Sequence, residues 1–290
     1  MKFTVVHKTE YHYQTPASES YGELRVCPKS DVSQKVSRRK LVIEPDVKVQ
    51  RYTDFFGNQV EYFSIPRRHQ KLSISSRAEV QTQPVVMPDH AKEITVAEAR
   101  QVMRARLLEH YPYLQPTSLV PLRSAIEPLK VHHMCRDTEL FADAIMRLNT
   151  WIFENFTYKS GFTEITTPLN QIIKHKKGVC QDFAHLMLSI LRTYKLPARY
   201  VSGYIEAYDP ETTDPNLIGA TASHAWVEVA LPGGNWIGLD PTNNQIAGER
   251  HVKVAVGRDY HDVAPLTGTY KGAQDQKLEV IVSVKRRKGK

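Results

Sequence analysis

The chain has 290 residues, 41% hydrophobic and 24% charged, with 39 Lys and Arg against 31 Asp and Glu, a net charge of +8. At ~150 residues per domain this length predicts about two domains, and ordinary apolar and charged fractions exclude a disordered, collagen-like or coiled-coil chain. No apolar run reaches the ~18 residues needed to span a bilayer, and the early charges of MKFTVVHKTEYHY leave no secretory h-region, so a cytoplasmic protein is the expectation.

The first ninety residues read as β structure. Phe3, Val5 and His7 alternate with polar neighbours, Leu41-Val42-Ile43 ends at Glu44-Pro45, and Leu72-Ser73-Ile74-Ser75 alternates again. Asp54-Phe55-Phe56-Gly57-Asn58 carries the turn residues of a hairpin. A small antiparallel sandwich or barrel over 1–90 is expected. Residues 91–134, with the prolines that flank and fill them, form an ordered connection containing one helix near Val96 to Glu109, because Gly and Ser are sparse.

The remaining unit, 135–290, opens with helices. Asp137 is placed to cap a helix running from Thr138 to about Asn155. Thr167-Pro168 reads as an N-cap followed by Pro at the first helical position, opening a short helix to about Lys174. From Cys180 the apolar positions Phe183, Met187, Ile190 and Tyr194 fall at helical spacing, and Leu196-Pro197 ends that helix. Strands follow at about 199–207, 222–230, 236–239 and 250–256, with a C-terminal strand at about 277–285. Helices first and antiparallel strands after is the α+β pattern. No internal repeat is present.

Three cysteines, Cys27, Cys135 and Cys180, are too few and too scattered for a disulfide framework or a zinc site. Cys27 and Cys135 read as small buried hydrophobes. Cys180 stands at a helix start, where unpaired N–H groups and the dipole favour a thiolate and can also stabilise an oxyanion. The hairpin at 223–241 supplies its partners. Ala225, Val227, Val229, Leu231, Ile237 and Leu239 form one apolar face, which leaves His224, Trp226, Glu228, Trp236, Gly238 and Asp240 on the other. If Ala230 pairs with Trp236, Trp226 lies opposite Asp240 and His224 is its diagonal neighbour, within hydrogen-bond reach. Cys180, His224 and Asp240 then have the relation of nucleophile, general base and orienting carboxylate.

Other candidates read more plainly. His185 lies five residues after Cys180, about 140° around the helix, and is expected beneath the site or at the surface. Asp182 complements the helix dipole whatever the function. His132 and His133 are expected to be solvated. Trp226 and Trp236 either wall a substrate cleft or shield the triad, with Gln181 beside them as a cleft candidate. The basic tail Lys285-Arg286-Arg287-Lys288-Gly289-Lys290 suits a solvated end, since no aromatic or helical recognition element accompanies it.

Gly178-Val179-Cys180-Gln181-Asp182-Phe183-Ala184-His185, Ser223-His224-Ala225-Trp226-Val227-Glu228 and Leu239-Asp240-Pro241-Thr242 resemble, in order, the three core blocks of the transglutaminase-like superfamily. His7 to Tyr13, Leu24-Arg25-Val26-Cys27-Pro28 and Asp54 to Asn58 resemble the β-rich N-terminal region of its bacterial members. The resemblance implies a papain-like α+β core, the triad Cys180, His224 and Asp240, and an acyl-enzyme. It leaves open whether water or an amine resolves that intermediate. It also leaves Asn170, Gln171 and Lys174 as equal candidates for a second oxyanion donor. Animal transglutaminases need calcium; here no loop has calcium-ligand density and the extra β domains are missing, which favours hydrolysis of a peptide or amide bond. No cofactor or metal is expected. The partner is a peptide or protein substrate, with no specific nucleic acid and no membrane span. Two other readings are a non-enzymatic protein-interaction module and a basic binder of nucleic acid or lipid, the latter resting only on net charge and tail.

Overall fold

The computed structural model describes residues 1–206, 218, 222–272 and 275–287, with His132 described through its backbone only. The N-terminal unit is built on β1 (Lys2–Ala17), β2 (Glu19–Leu24), β3 (Gln34–Glu44), β4 (Gln50–Thr53), β5 (Gln59–Ile65) and β6 (His69–Thr82). Period-two burial drives it: Phe3, Val5, His7 and Thr9 of β1 are buried between more exposed neighbours. Tyr13, Leu24, Cys27, Ile43, Phe63, Leu72 and Ile74 close a small sandwich core.

Helix α1 (Val96–Arg104) opens on Thr95, whose hydroxyl accepts from Glu98 N while the Glu98 carboxylate takes Thr95 N–H. The sequence expectation carried this helix to Glu109. It stops at Arg104 because Arg106 leaves helical dihedrals (φ −114°, ψ 35°), and Leu107–His110 makes a separate turn. In the connection, Val96, Met103, Val120 and Met134 join the main core. Helix α2 (Phe141–Asn155) starts three residues later than its pattern suggested. Asp137 does not cap it. Segment 137–141 is bound to the start of α1 instead, with Val96 N donating to Glu139 O and Phe141 N to Ile94 O, while the Asp137 carboxylate takes Arg100. Helix α3 (Leu169–His175) has Pro168 in the cap position and no side-chain cap. Thr167 Oγ1 accepts from Glu164 N in the preceding turn. Helix α4 (Cys180–Thr193) begins where the sequence placed it.

A five-stranded antiparallel sheet follows: β7 (Ala198–Ile205), β8 (His224–Ala230), β9 (Trp236–Asp240) and β10 (His251–Gly257), with the short pair Gln245–Ile246 outside β9 and the order 245–246, β9, β8, β7, β10. Its odd-numbered hairpin residues Ala225, Val227, Val229, Ile237 and Leu239 pack with α2 and α4 in the main core. The hairpin register is the expected one: Ala230 faces Trp236 and Val227 faces Leu239. Pairing of β10 with β7 slips between Lys253 and Ala255. This bulge changes the parity, so Val256 joins Val201 and Trp226 in a separate cluster on the face opposite the helices.

The last two strands correct the expected boundaries. Strand β11 (Leu266–Lys271) pairs with β2, and β12 (Gln276–Arg286) runs along β1 from Tyr13 opposite Gln276 to Phe3 opposite Arg286. The C-terminal strand assigned to the 135–290 unit thus completes the N-terminal sheets, ordered β12-β1-β6-β3 and β11-β2-β5-β4. It covers an edge of β1 whose backbone groups would otherwise be free.

Two side-chain amides of the N-terminal unit cover the outer edge of β10. Gln34 Nε2 donates to Lys253 O (2.7 Å) and its Oε1 accepts from Lys253 N (2.9 Å). Asn58 Nδ2 donates to Val256 O (2.7 Å) and its Oδ1 accepts from Val256 N (2.8 Å). Asn58 ends the Asp54–Asn58 turn, where Asp54 Oδ1 accepts from Phe56 N and Asn58 N and Gly57 takes φ +74°, a left-handed conformation suited to glycine. No helix among the described residues is long and apolar enough to cross a membrane.

Candidate active site

Cys180 is the first residue of α4 and is half-buried. The residues before it are pinned: Lys177 and Gly178 pair with Thr157 and Tyr158, and Asp182 Oδ2 accepts from Val179 N (2.8 Å) and Thr163 Oγ1 (2.6 Å). Asp182 therefore closes the helix start and is buried, which pushes its carboxyl upward against those two hydrogen bonds. The first-turn N–H groups of an α-helix lack intrahelical acceptors. Here Asp182 N and Phe183 N donate to Val179 O (3.0 and 3.2 Å), so an oxyanion on an attacked carbonyl could be received only by the amides ahead of them.

His224 and Asp240, at adjacent ends of β8 and β9, are fully buried. His224 Nε2 lies 2.8 Å from Asp240 Oδ2. Burial alone would lower the imidazole pKa. The Asp240 charge and hydrogen bond outweigh it, and the Cys180 thiol adds to the rise, so His224 is held well above its ordinary value. The other ring nitrogen, Nδ1, is buried and has no hydrogen bond of standard geometry among the described residues. With Nε2 committed to the carboxylate, Nδ1 is the ring nitrogen that could exchange a proton with another group.

Asp240 is saturated. Its Oδ1 accepts from Thr242 N (3.0 Å) and Asn243 N (3.2 Å), and its Oδ2 from His224, Asn243 Nδ2 (2.8 Å) and His251 Nε2 (3.1 Å). Burial raises its carboxyl pKa, but the two imidazoles and their hydrogen bonds overcome this and hold it ionised below the usual carboxylate range. Asn243 is itself placed by the Ile218 backbone, taking Ile218 N–H on Oδ1 (2.8 Å). One ligand atom from each of His224, Asp240 and His251 lies within 4.8 Å of the others. In this geometry both histidine nitrogens are engaged as hydrogen-bond donors to Oδ2, which accounts for the cluster without an ion.

Trp226 is buried, with its ring 6.1 Å from His224 and edge-on to His251 at 5.1 Å. Gly203 makes room for it, since a Cβ there would sit 2.5 Å from the indole. Trp236 lies apart, under the Arg199 guanidinium (4.1 Å) and beside Tyr113. Both tryptophans line a cavity of about 670 Å³ between the sheet and residues 31–33 and 84–86 of the N-terminal unit. Gln181 Nε2 donates to Ile165 O (3.2 Å).

The remaining candidates fall outside the cluster. Asn170, Gln171 and Lys174 lie exposed on α3. His185 is a buried core residue, not a surface one: its Nε2 accepts from Tyr260 N (3.3 Å), and burial pushes its pKa down to about 3. His133 is half-buried with Nδ1 3.2 Å from Lys130 O. The end of the basic tail, 288–290, and residue 207 of the expected strand 199–207 lie outside the described residues. The sequence reading missed His251 and Asn243. The alternation His251, Lys253 in an otherwise apolar strand was the available signal for the first.

Residues 132–241 match the profile of the transglutaminase-like superfamily, and residues 3–81 that of the bacterial transglutaminase-like N-terminal region. Over 289 residues the chain is 32% identical to an uncharacterised protein of Mycobacterium leprae (strain TN), covering 98% of this chain and 99% of that protein. A shorter match, 36% over 75 residues, covers 26% of this chain and 11% of a protein-glutamine gamma-glutamyltransferase of Pseudomonas aeruginosa. Among solved structures, a proposed cysteine protease from Cytophaga hutchinsonii superposes with a TM-score of 0.69 at 23% identity, over 97% of this chain and 90% of that one. The fold is thus a transglutaminase-like core behind an all-β N-terminal region, and the chain belongs to the transglutaminase-like superfamily.

Proposed function

We propose that this protein is a thiol-dependent acyl-transfer enzyme that hydrolyses a peptide or amide bond through Cys180, His224 and Asp240. The observation that carries this reading is the His224 ring: Nε2 is committed to an ionised carboxylate, and the buried ring lies close enough to the half-exposed Cys180 thiol at a helix head for that thiol to raise its pKa. In the reaction, His224 Nδ1 takes the Cys180 proton and the thiolate attacks the substrate carbonyl carbon. The carbonyl oxygen takes up negative charge, which the first-turn amides of α4 receive. When the tetrahedral adduct collapses, the C–N bond breaks, the imidazolium gives its proton to the departing amine, and a thioester remains. His224 then takes a proton from water, whose oxygen attacks the thioester. Collapse expels the sulfur, releases a carboxylic acid and restores the thiol. Asp240 holds the Nε2–H tautomer and offsets the imidazolium charge throughout.

A second reading replaces water with a primary amine, which would join glutamine to lysine. The 75-residue similarity to the Pseudomonas glutamyltransferase favours it. We favour water, because it is always available to a thioester on a half-exposed sulfur. A glutamine-containing peptide incubated with and without a primary amine separates the two by mass. Fragments or released ammonia without amine support hydrolysis, and incorporation of the amine supports transamidation. No product and no covalent adduct on Cys180 across a panel of such peptides would contradict both.

A further inference from the structure

The reaction outlined above uses one of the two imidazoles that meet on Asp240. His251 reaches the same oxygen, and its tautomer is set by its other nitrogen. Gly248 N–H donates to His251 Nδ1 at 3.3 Å, so Nδ1 accepts and Nε2 carries the proton directed at Asp240 Oδ2, 3.1 Å away. The ring is buried at the start of β10, clamped between that turn and the edge-on Trp226 indole. Burial lowers its pKa, and the nearby His224 disfavours a second cation. His251 is thus a neutral donor with a fixed direction.

We propose that His251 is a positioning residue that acts on His224 through Asp240: it fixes the carboxylate and draws off part of its charge, keeping the His224 imidazolium acidic enough to protonate the leaving amine. The inference rests on the reading of Cys180 as nucleophile and His224 as base. A carboxylate with an unshared charge would hold the imidazolium proton more tightly, making His224 a better base and a poorer acid. The pair must do both jobs in one turnover. Spreading the charge of Oδ2 over three donors, His224, Asn243 and His251, is the device the geometry supplies. Among the described residues, the titratable and charged groups facing the two rings are Asp240 from β9, Cys180 from α4 and Arg250 from the turn before β10. Arg250 lies 3.6 Å from the Glu206 carboxylate.

The test is the rate of Cys180 alkylation by iodoacetate against pH in the full chain. This anionic reagent reacts best with a thiolate beside an imidazolium, so the wild-type profile is expected to be a bell whose alkaline limb reports loss of the His224 proton. In His251→Phe that limb is expected to move up by roughly half a unit or more. In His251→Gln, whose amide N–H can still donate to Oδ2, it is expected to stay near wild type. A purely structural role would change the melting temperature and leave the limb in place, and a limb unmoved or shifted down in His251→Phe would overturn the proposal. If that variant does not fold, ¹⁵N-histidine shifts of the wild type decide: a bare Nδ1 and protonated Nε2 on His251 at neutral pH support it, and the opposite tautomer or a cation overturns it. A wild-type profile with no bell, or one unchanged in His224→Ala, would instead sink the reading of Cys180 and His224.

Discussion

Cys27 lies in the sandwich core at 1% exposure, its sulfur 3.3 Å from Ser76 Oγ and close to the buried Glu61 carboxyl. Cys180 stands half-exposed at the head of α4 beside His224. Each thiol therefore has a titratable neighbour, but the two neighbours differ in kind. Burial first, and the negative charge of Glu61 second, push the Cys27 thiol up to about 11. The Glu61 carboxyl is itself raised by burial, with Arg39 3.3 Å and Arg51 3.8 Å from its Oε1. An imidazole that takes a thiol proton becomes a cation beside the sulfur, which favours the thiolate, and Asp240 is placed to pair that cation on His224; a carboxylate beside a thiol disfavours the thiolate instead.

That contrast can be broken most severely at the imidazole. His224→Ala is expected to lower acyl transfer by roughly 10³-fold or more, with no loss in Cys27→Ser; peptide turnover followed by mass measures both. Asp240→Asn keeps the shape but frees the tautomer, and a drop of about 10²–10⁴-fold is expected in the same assay.

Away from the thiols, the seam between the units has buried polar groups whose partners are complete. Asn58→Ala strips Val256 of both backbone partners and is expected to cost about 2–4 kcal/mol in urea unfolding, with the alkylation rate of Cys180 in the folded state unchanged. Glu228 on the same seam sharpens the comparison by pH. Burial raises its carboxyl, but Arg199 and Lys253, both at 2.6 Å, outweigh this and bring it down to about 2. Its folded pKa lies below the unfolded one, so the stability it supplies is present above about pH 4.5 and is lost as pH falls towards 2. Glu228→Gln is expected to flatten that part of the stability curve; an unchanged slope would remove Glu228 from the account.

Much of the site was legible because its parts obey short-range rules. The register of β8 and β9 follows from keeping Ala225, Val227, Val229, Ile237 and Leu239 on one face, and that parity alone brings His224 to Asp240. The start of α4 at Cys180 follows from helical spacing. What escaped depends on distant chain. His251 reaches Asp240 only because the turn 245–250 folds back over the sheet end, and the bulge at Val254 then interrupts the alternation that would have marked its face. The pairing of β12 with β1 joins residues more than 260 positions apart, which local periodicity does not encode. Asp137 had the right chemistry for a cap, but its segment is bound to α1.

The most direct measurement is site-mapped alkylation of the native chain with limiting iodoacetamide near neutral pH. Label confined to Cys180, and lost from it in His224→Ala, is the outcome expected of a sulfur primed by its neighbouring ring. Equal labelling of Cys27, Cys135 and Cys180 before unfolding would contradict it.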